Sequence, residues 1–187
     1  MHRLEHELLW PLAAVAAVAP TQIVAAASYL GVSEAQRVLF PAARSFDELV
    51  LVPTSAQLAA VAAAAGPQPP HGKLNVWTAR AGEAVLGYVF VDNVIGRDDY
   101  ITYAVGVDTQ GALVSVEILD YRESHGGEIR NKRWLAQFAG RGALDELTFR
   151  TDIKNIAGAT LSAEHVTAGV RRILALWQMV VRPQTTG

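Results

Sequence analysis

Between residues 73 and 121 the chain repeats one pattern: short runs of alternating apolar and polar residues, broken by turn sequences. Tyr103, Val105 and Val107 alternate in one run and Val114, Val116 and Ile118 in the next, with Asp108-Thr109-Gln110-Gly111 between them. A period of two sends successive side chains to opposite faces of a strand. A polar break ending in glycine closes a hairpin. The pattern predicts strands over Lys73–Arg80, Ala84–Ile95, Tyr100–Val107 and Ala112–Tyr121, the first two joined at Ala81-Gly82-Glu83. An antiparallel sheet of this kind has an apolar face that another element must cover.

The C-terminal segment supplies that cover. From Ser162 to Val181 the apolar residues Val166, Val170, Ile173, Leu174, Trp177, Val180 and Val181 follow i+3/i+4 spacing, the stripe of an amphipathic helix. Arg171 and Arg172 fall beside the stripe. A shorter helix is expected over Lys132–Ala139, ended by Gly140 and Gly142. Nearer the N-terminus, Ser33 is expected to cap a helix through Phe40 that Pro41 stops, and Thr54 or Ser55 to cap another through Ala65. Gly66-Pro67-Gln68-Pro69-Pro70-His71-Gly72 reads as a linker. The expected fold class is α+β: an antiparallel sheet with a packed C-terminal amphipathic helix, plus an N-terminal signal or anchor helix. The expected division is 1–30 signal peptide or membrane anchor, 31–72 helical segment and linker, and 73–182 a binding domain.

Leu8 through Ser33 contains no charged residue. The stretch Leu8–Leu30 exceeds the roughly 20 apolar residues that span a bilayer. Arg3 provides a basic flank, and Ala25-Ala26-Ala27 before Ser28 resembles a small-residue cleavage site. Export or anchoring follows as the expectation; the alternative is an alanine-rich helix packed on the domain. The net charge of −2 and the scattered basic residues require no nucleic-acid partner. With no cysteine, disulfides, cysteine-bound iron–sulfur clusters, thioether haem and thiol catalysis are excluded. No metal site is expected from His2, His6, His71, His125 and His165. Redox work in such a chain falls to an organic cofactor.

Two glycine-bearing polar segments stand out. The first, Glu123-Ser124-His125-Gly126-Gly127-Glu128, follows the last strand, and its glycines permit a tight or left-handed backbone. The second, Ala157-Gly158-Ala159-Thr160-Leu161-Ser162, stands where the long helix begins. Small residues there let a ligand approach the backbone, and a helix N-terminus favours a phosphate. Taken singly, the first also fits a solvated loop. The second also fits an ordinary helix start with Ser162 as N-cap.

Together the two segments resemble the FMN-binding domain of the G-type subunit of Rnf electron-transport complexes, of the C subunit of sodium-translocating NADH:quinone reductase, and of related exported FMN-binding proteins. The family's Ser/Thr-Gly-Ala-Thr motif is matched by Ala157-Gly158-Ala159-Thr160. Its upstream Glu-Thr-Pro-Gly-type loop is matched loosely by Glu123-Ser124-His125-Gly126, and its aromatic helix by Trp134 and Phe138. Ala157 stands where the family has Ser/Thr, Lys154 where it has an acidic residue (Asp152 lies two positions earlier), and His125 where it has proline. The resemblance implies an electron carrier or redox-complex subunit on the periplasmic, extracytoplasmic side of the membrane. Its FMN phosphate would be joined to Thr160 by a flavin transferase as a phosphoester. Gly158, Ala159, Ala157, Leu161 and Ser162 would line the phosphate, and Glu123, Ser124, His125, Gly126 and Gly127 would contact the ring or ribityl chain. No residue is cast as catalytic. The implied partners are membrane redox proteins, with residues 8–30 in the membrane if uncleaved. A flavin-free binding or assembly module is the alternative reading.

Overall fold

The computed structural model describes residues 27–28, 30–66 and 74–182. The expected signal or anchor helix and most of the expected linker lie outside these residues. The described elements are β1 (Ala27–Ser28), α1 (Val32–Leu39), β2 (Ser45–Glu48), α2 (Ser55–Ala65), β3 (Asn75–Ala81), β4 (Ala84–Ile95), β5 (Tyr100–Asp108), β6 (Leu113–Tyr121), α3 (Lys132–Leu135) and α4 (Thr160–Leu176). A 3₁₀ turn, Gly127–Arg130, precedes α3, and a π-helical turn, Trp177–Val181, extends α4.

The strands form one antiparallel sheet in the order β1-β6-β5-β4-β3-β2. The four strands expected from alternation are β3 to β6, and the long C-terminal helix is α4. Thr54 caps α2 as expected, its Oγ1 accepting from the Gln57 amide at 3.2 Å while Gln57 Oε1 accepts from the Thr54 amide at 2.9 Å. Two caps differ from expectation. α1 starts after Gly31, not Ser33, because Glu34 Oε2 accepts from the Gly31 amide at 2.9 Å. α4 starts at Thr160, two residues before the expected Ser162 cap. β1 and β2 are additions, both short edge strands; β2 pairs with β3 from Ser45↔Arg80 to Glu48↔Trp77, with Phe46 on the core and Asp47 3.3 Å from Arg80.

Alternation explains the layering. Phe90, Tyr103, Val105 and Ile118 point to one face, where Val166, Val170, Ile173 and Leu174 of α4 cover them. Val89, Val91, Ala104 and Leu119 point to the other, covered by Ala35 and Leu39 of α1 and by Phe40. α2 lays Val61 and Ala65 on Ala175, Leu176 and Val180. Each large apolar side chain so buried contributes about 1.5–3 kcal/mol.

α4 runs the length of the sheet. At its start His165 Nδ1 meets the carbonyls of Ile95 and Gly96 beside the β4–β5 turn. At its end Trp177 lies against Gly111 in the β5–β6 turn. The sheet therefore has a near end, with the β4–β5 turn and the C-terminus of β6, and a far end with the β3–β4 and β5–β6 turns.

Arg172 corrects the expectation that it lies beside the apolar stripe. It is 3% exposed and pairs with Asp92, itself 2% exposed. Asp92 Oδ2 also accepts from the Tyr103 hydroxyl at 3.0 Å, and Oδ1 from the Asn93 amide at 2.8 Å. Burial, and then the Asp92 carboxylate, hold the Tyr103 phenol well above the usual value near 10; the Arg172 charge works the other way. Above pH 10 the unfolded chain releases this proton while the folded chain keeps it, so stability falls as pH rises. Tyr103→Phe is expected to remove up to one proton's worth of that slope, about 1.4 kcal/mol per pH unit. Denaturant titrations between pH 9 and 11.5 check this; equal slopes in both proteins would contradict it.

Candidate functional site

The two glycine-bearing segments meet at the near end of the sheet. Gly126 has φ 90° and ψ 20°, in the left-handed region, and starts the 3₁₀ turn. A Cβ there would overlap the Tyr121 hydroxyl and reach 3.4 Å from the Gly158 carbonyl and 3.6 Å from the Ala159 Cα. Gly158 has φ 88°, and a Cβ on it would sit 3.0 Å from the Glu128 carboxylate. Gly126 has no room for a side chain; at Gly158 the left-handed backbone disfavours one, and the Glu128 carboxylate would have to give way. Tyr121 at the end of β6 ties the pieces together: its hydroxyl donates to the His125 carbonyl and lies 3.3 Å from Ser162 Oγ.

Thr160 is the first residue of α4, and no side chain caps this helix. The first backbone bond of the helix runs from the Ala163 amide to the Ala159 carbonyl at 2.9 Å. The amides of Thr160, Leu161 and Ser162 precede it, at the positive end of the helix dipole. Asn155 Nδ2 donates to Thr160 Oγ1 at 3.1 Å and fixes the hydroxyl at the edge of a groove.

That groove holds about 550 Å³, within the range of small-molecule sites. Asn131, Arg133, Trp134, Gln137 and Arg141 form one wall, and Asp152, Lys154, Asn155 and Ile156 the other. Two hydrogen bonds brace the walls: Trp134 Nε1 to the Lys154 carbonyl at 2.7 Å, and the Lys154 amide to Gln137 Oε1 at 2.9 Å. Asn131 caps α3, accepting from the amides of Arg133 at 2.9 Å and Trp134 at 3.4 Å. The indole packs edge-on to Phe138 at 5.3 Å between centroids. Arg133, Arg141 and Lys154 against Asp152 leave the lining net positive, which suits an anionic ligand. Asp152 Oδ2 is used by the Thr148 amide at 2.9 Å.

The expected site residues divide by place. Thr160, Gly158, Ala159 and Gly126 gather where the segments touch, Gly127 faces only the Arg130 side chain, and Ala157 is exposed on the approach. Leu161 projects outward, 48% exposed. Ser162 turns inward to Tyr121 and is buried, away from the groove. The Glu123 carboxylate faces the β4–β5 turn, accepting from the amides of Asp98 at 2.7 Å and Asp99 at 3.0 Å. Ser124 and His125 are exposed and bonded to each other at 2.9 Å. The groove residues Asn155 and Trp134 were not among the expected site residues. The indole was legible only as an aromatic in a short helix, and nothing in the spacing singled out Asn155.

Residues 96–175 match the family model of the FMN-binding domain. The match runs from the β4–β5 turn through α4 and contains both glycine-bearing segments and the groove. The resemblance read from the sequence is thereby borne out. The chain is also similar to the G-type subunit of the Na(+)-translocating ferredoxin:NAD(+) oxidoreductase complex of Acetobacterium woodii, 25% identical over 128 residues. That similarity covers 63% of this chain and 62% of the relative's length.

Proposed function

We propose that this FMN-binding domain carries electrons for a membrane redox complex on the extracytoplasmic side, with its FMN joined through the phosphate to Thr160. The observation that carries the reading is the meeting of Gly126 with Gly158 and Ala159 beside a hydroxyl that Asn155 holds at the rim of a cationic groove. Glycine at 126 lets the two backbones meet, which sets the helix start and the Thr160 hydroxyl against the groove. The residues fit the group: helix amides and the groove's basic residues for the phosphate, and Trp134 with Ile156 as apolar wall. Bound FMN supplies one- and two-electron chemistry, and the chain's own residues bind and orient it. Similarity to a subunit of a translocating oxidoreductase supports the membrane complex as the setting.

The test is intact mass after co-expression with a flavin transferase. The wild-type chain is expected to carry one FMN mass and Thr160→Ala none, with the variant's stability within about 1 kcal/mol of wild type. Mass retained in the variant would reject Thr160. A colourless wild-type protein that does not bind added FMN would instead favour the flavin-free assembly module.

A further inference from the structure

We infer that the far end of the sheet holds a second small-molecule site, built for an organic carboxylate with an apolar body and a hydrogen-bonding group at its other end. The site lies at the opposite end of α4 from Thr160 and does not rest on the flavin reading.

Its place follows from the path of α4. The helix and its π-helical turn cross the sheet from the β4–β5 turn to the β5–β6 turn, where Trp177 meets Gly111. The far corner over β3 and β4 is left, and there the same face keeps a cavity of about 600 Å³, within the range of small-molecule sites. Thr78 of β3 and Tyr88 of β4 stand opposite each other in the ladder and line it together. A bulge after Ala79 sets Arg80 opposite Val85, and both line it as well. Leu49, after β2, and Arg182, after the π-helical turn, complete these walls.

Two hydroxyls in the cavity are unused. Tyr88 is 5% exposed and Thr78 8%, and neither side chain has a hydrogen-bond partner among the described residues. Among those residues the fully enclosed polar atoms without partners are Arg171 Nε, Arg172 Nε and Trp177 Nε1. The two hydroxyls are not of that kind, so the access they keep is through the cavity they line. Buried polar groups are ordinarily paired. Two neighbouring hydroxyls turned to one cavity offer a donor and acceptor pair to whatever enters it.

The rim supplies the charge. Arg80 and Arg182 are the charged residues of the lining. Asp47 shares their face, opposite Thr78, and takes Arg80 Nε at 3.3 Å. Glu48, the next residue, falls on the other face. Arg80 Nη1 reaches the Glu83 carbonyl at 3.5 Å, which leaves Nη2 for a ligand. Asp108 is turned to its own loop, Oδ1 accepting from the amides of Gln110 at 2.8 Å and Ala112 at 2.9 Å. Arg44 and Glu83 are exposed at the strand ends beside Arg80. With all of these counted the local charge is close to balanced. Preference for a carboxylate therefore comes from the directed guanidinium donors, not from a broad field. Leu49 and Val85 take the apolar body, and the hydroxyls take the group at its far end.

Phenylglyoxal labelling of arginines in the full chain, read by peptide mass, tests the site. The Arg80 side chain is 38% exposed and open to the reagent. Arg97, 73% exposed in the β4–β5 turn, is the internal control, and Arg133 and Arg141 report on the groove. The probes are para-hydroxyphenylacetate, phenylacetate, phenylethanol and inorganic phosphate. At about 1 mM, para-hydroxyphenylacetate is expected to halve the labelling of Arg80 and to spare the other three arginines. Phenylacetate, one hydrogen bond poorer, should need about fivefold more. Phenylethanol and phosphate should not protect. Tyr88→Phe combined with Thr78→Val should abolish the preference for the hydroxylated acid while phenylacetate still protects; neither change removes a side-chain hydrogen bond of the fold. Unprotected Arg80 overturns the site. Equal protection by phosphate reduces it to ion pairing at a surface guanidinium and overturns it too. Protection of Arg133 or Arg141 in place of Arg80 moves the acid to the groove and overturns the placement. A preference that survives the double substitution overturns the role of the hydroxyls. None of these readings depends on flavin content.

Discussion

Replacing Asp92 with alanine is expected to cost about 3–5 kcal/mol, because Arg172 is left charged and buried without its partner. The two side chains are almost wholly covered, and Arg172 Nε already lacks a hydrogen-bond partner. The Tyr103 hydroxyl loses its acceptor in the same step. For a chain of this size, at 2–4 °C per kcal/mol, the melting temperature should fall by roughly 6–20 °C. Exchanging both partners for apolar residues, Asp92→Leu with Arg172→Met, should recover most of that loss, since the pair's attraction is offset by the cost of desolvating it. Calorimetry on the single and double variants decides the matter. A double variant no more stable than Asp92→Ala would show that the pair is worth more than apolar packing in the same space.

The second large effect is expected at Gly126. Valine there must adopt a left-handed backbone, at a cost of about 1–3 kcal/mol. Its side chain must also displace Tyr121 and move toward the Gly158 carbonyl and Ala159. The contact between the two segments opens at the point where the phosphate is proposed to lie. Flavin occupancy should fall about tenfold or more, each 1.4 kcal/mol of displacement counting as a factor of ten. α4 and the sheet do not depend on this contact, so far-ultraviolet circular dichroism should match wild type. Gly127→Val is the control, because Gly127 has an ordinary backbone and only the Arg130 side chain nearby. Undiminished flavin in Gly126→Val would remove this contact from the site.

The strands from 75 to 121 were legible because two independent signals agreed, alternation within each run and turn chemistry between runs. β2 escaped because Ser-Phe-Asp-Glu has a single apolar residue and so shows no alternation; Phe46 packs beside the α1-side cluster while the strand pairs with β3. Arg172 escaped because a charge beside an apolar stripe ordinarily points to water, and its partner lies 80 residues away. In the site, small residues marked where the backbones touch, and that reading needed no side-chain geometry. Helix phase decided the rest. Two residues beyond Thr160 the helix has turned inward, so Ser162 faces Tyr121. Glu123 looked like a ligand-facing acid, yet two amides of the β4–β5 turn lie within its reach.

The bracing of the groove through Lys154 uses only that residue's amide and carbonyl. Lys154 lines the groove, and its side chain takes no part in either brace. Charge at this position is thus uncoupled from folding: a carboxylate could replace the ammonium with both braces intact. The scaffold therefore leaves selection one adjustable dial on the electrostatic potential a bound flavin would experience, and with it on the driving force for electron exchange.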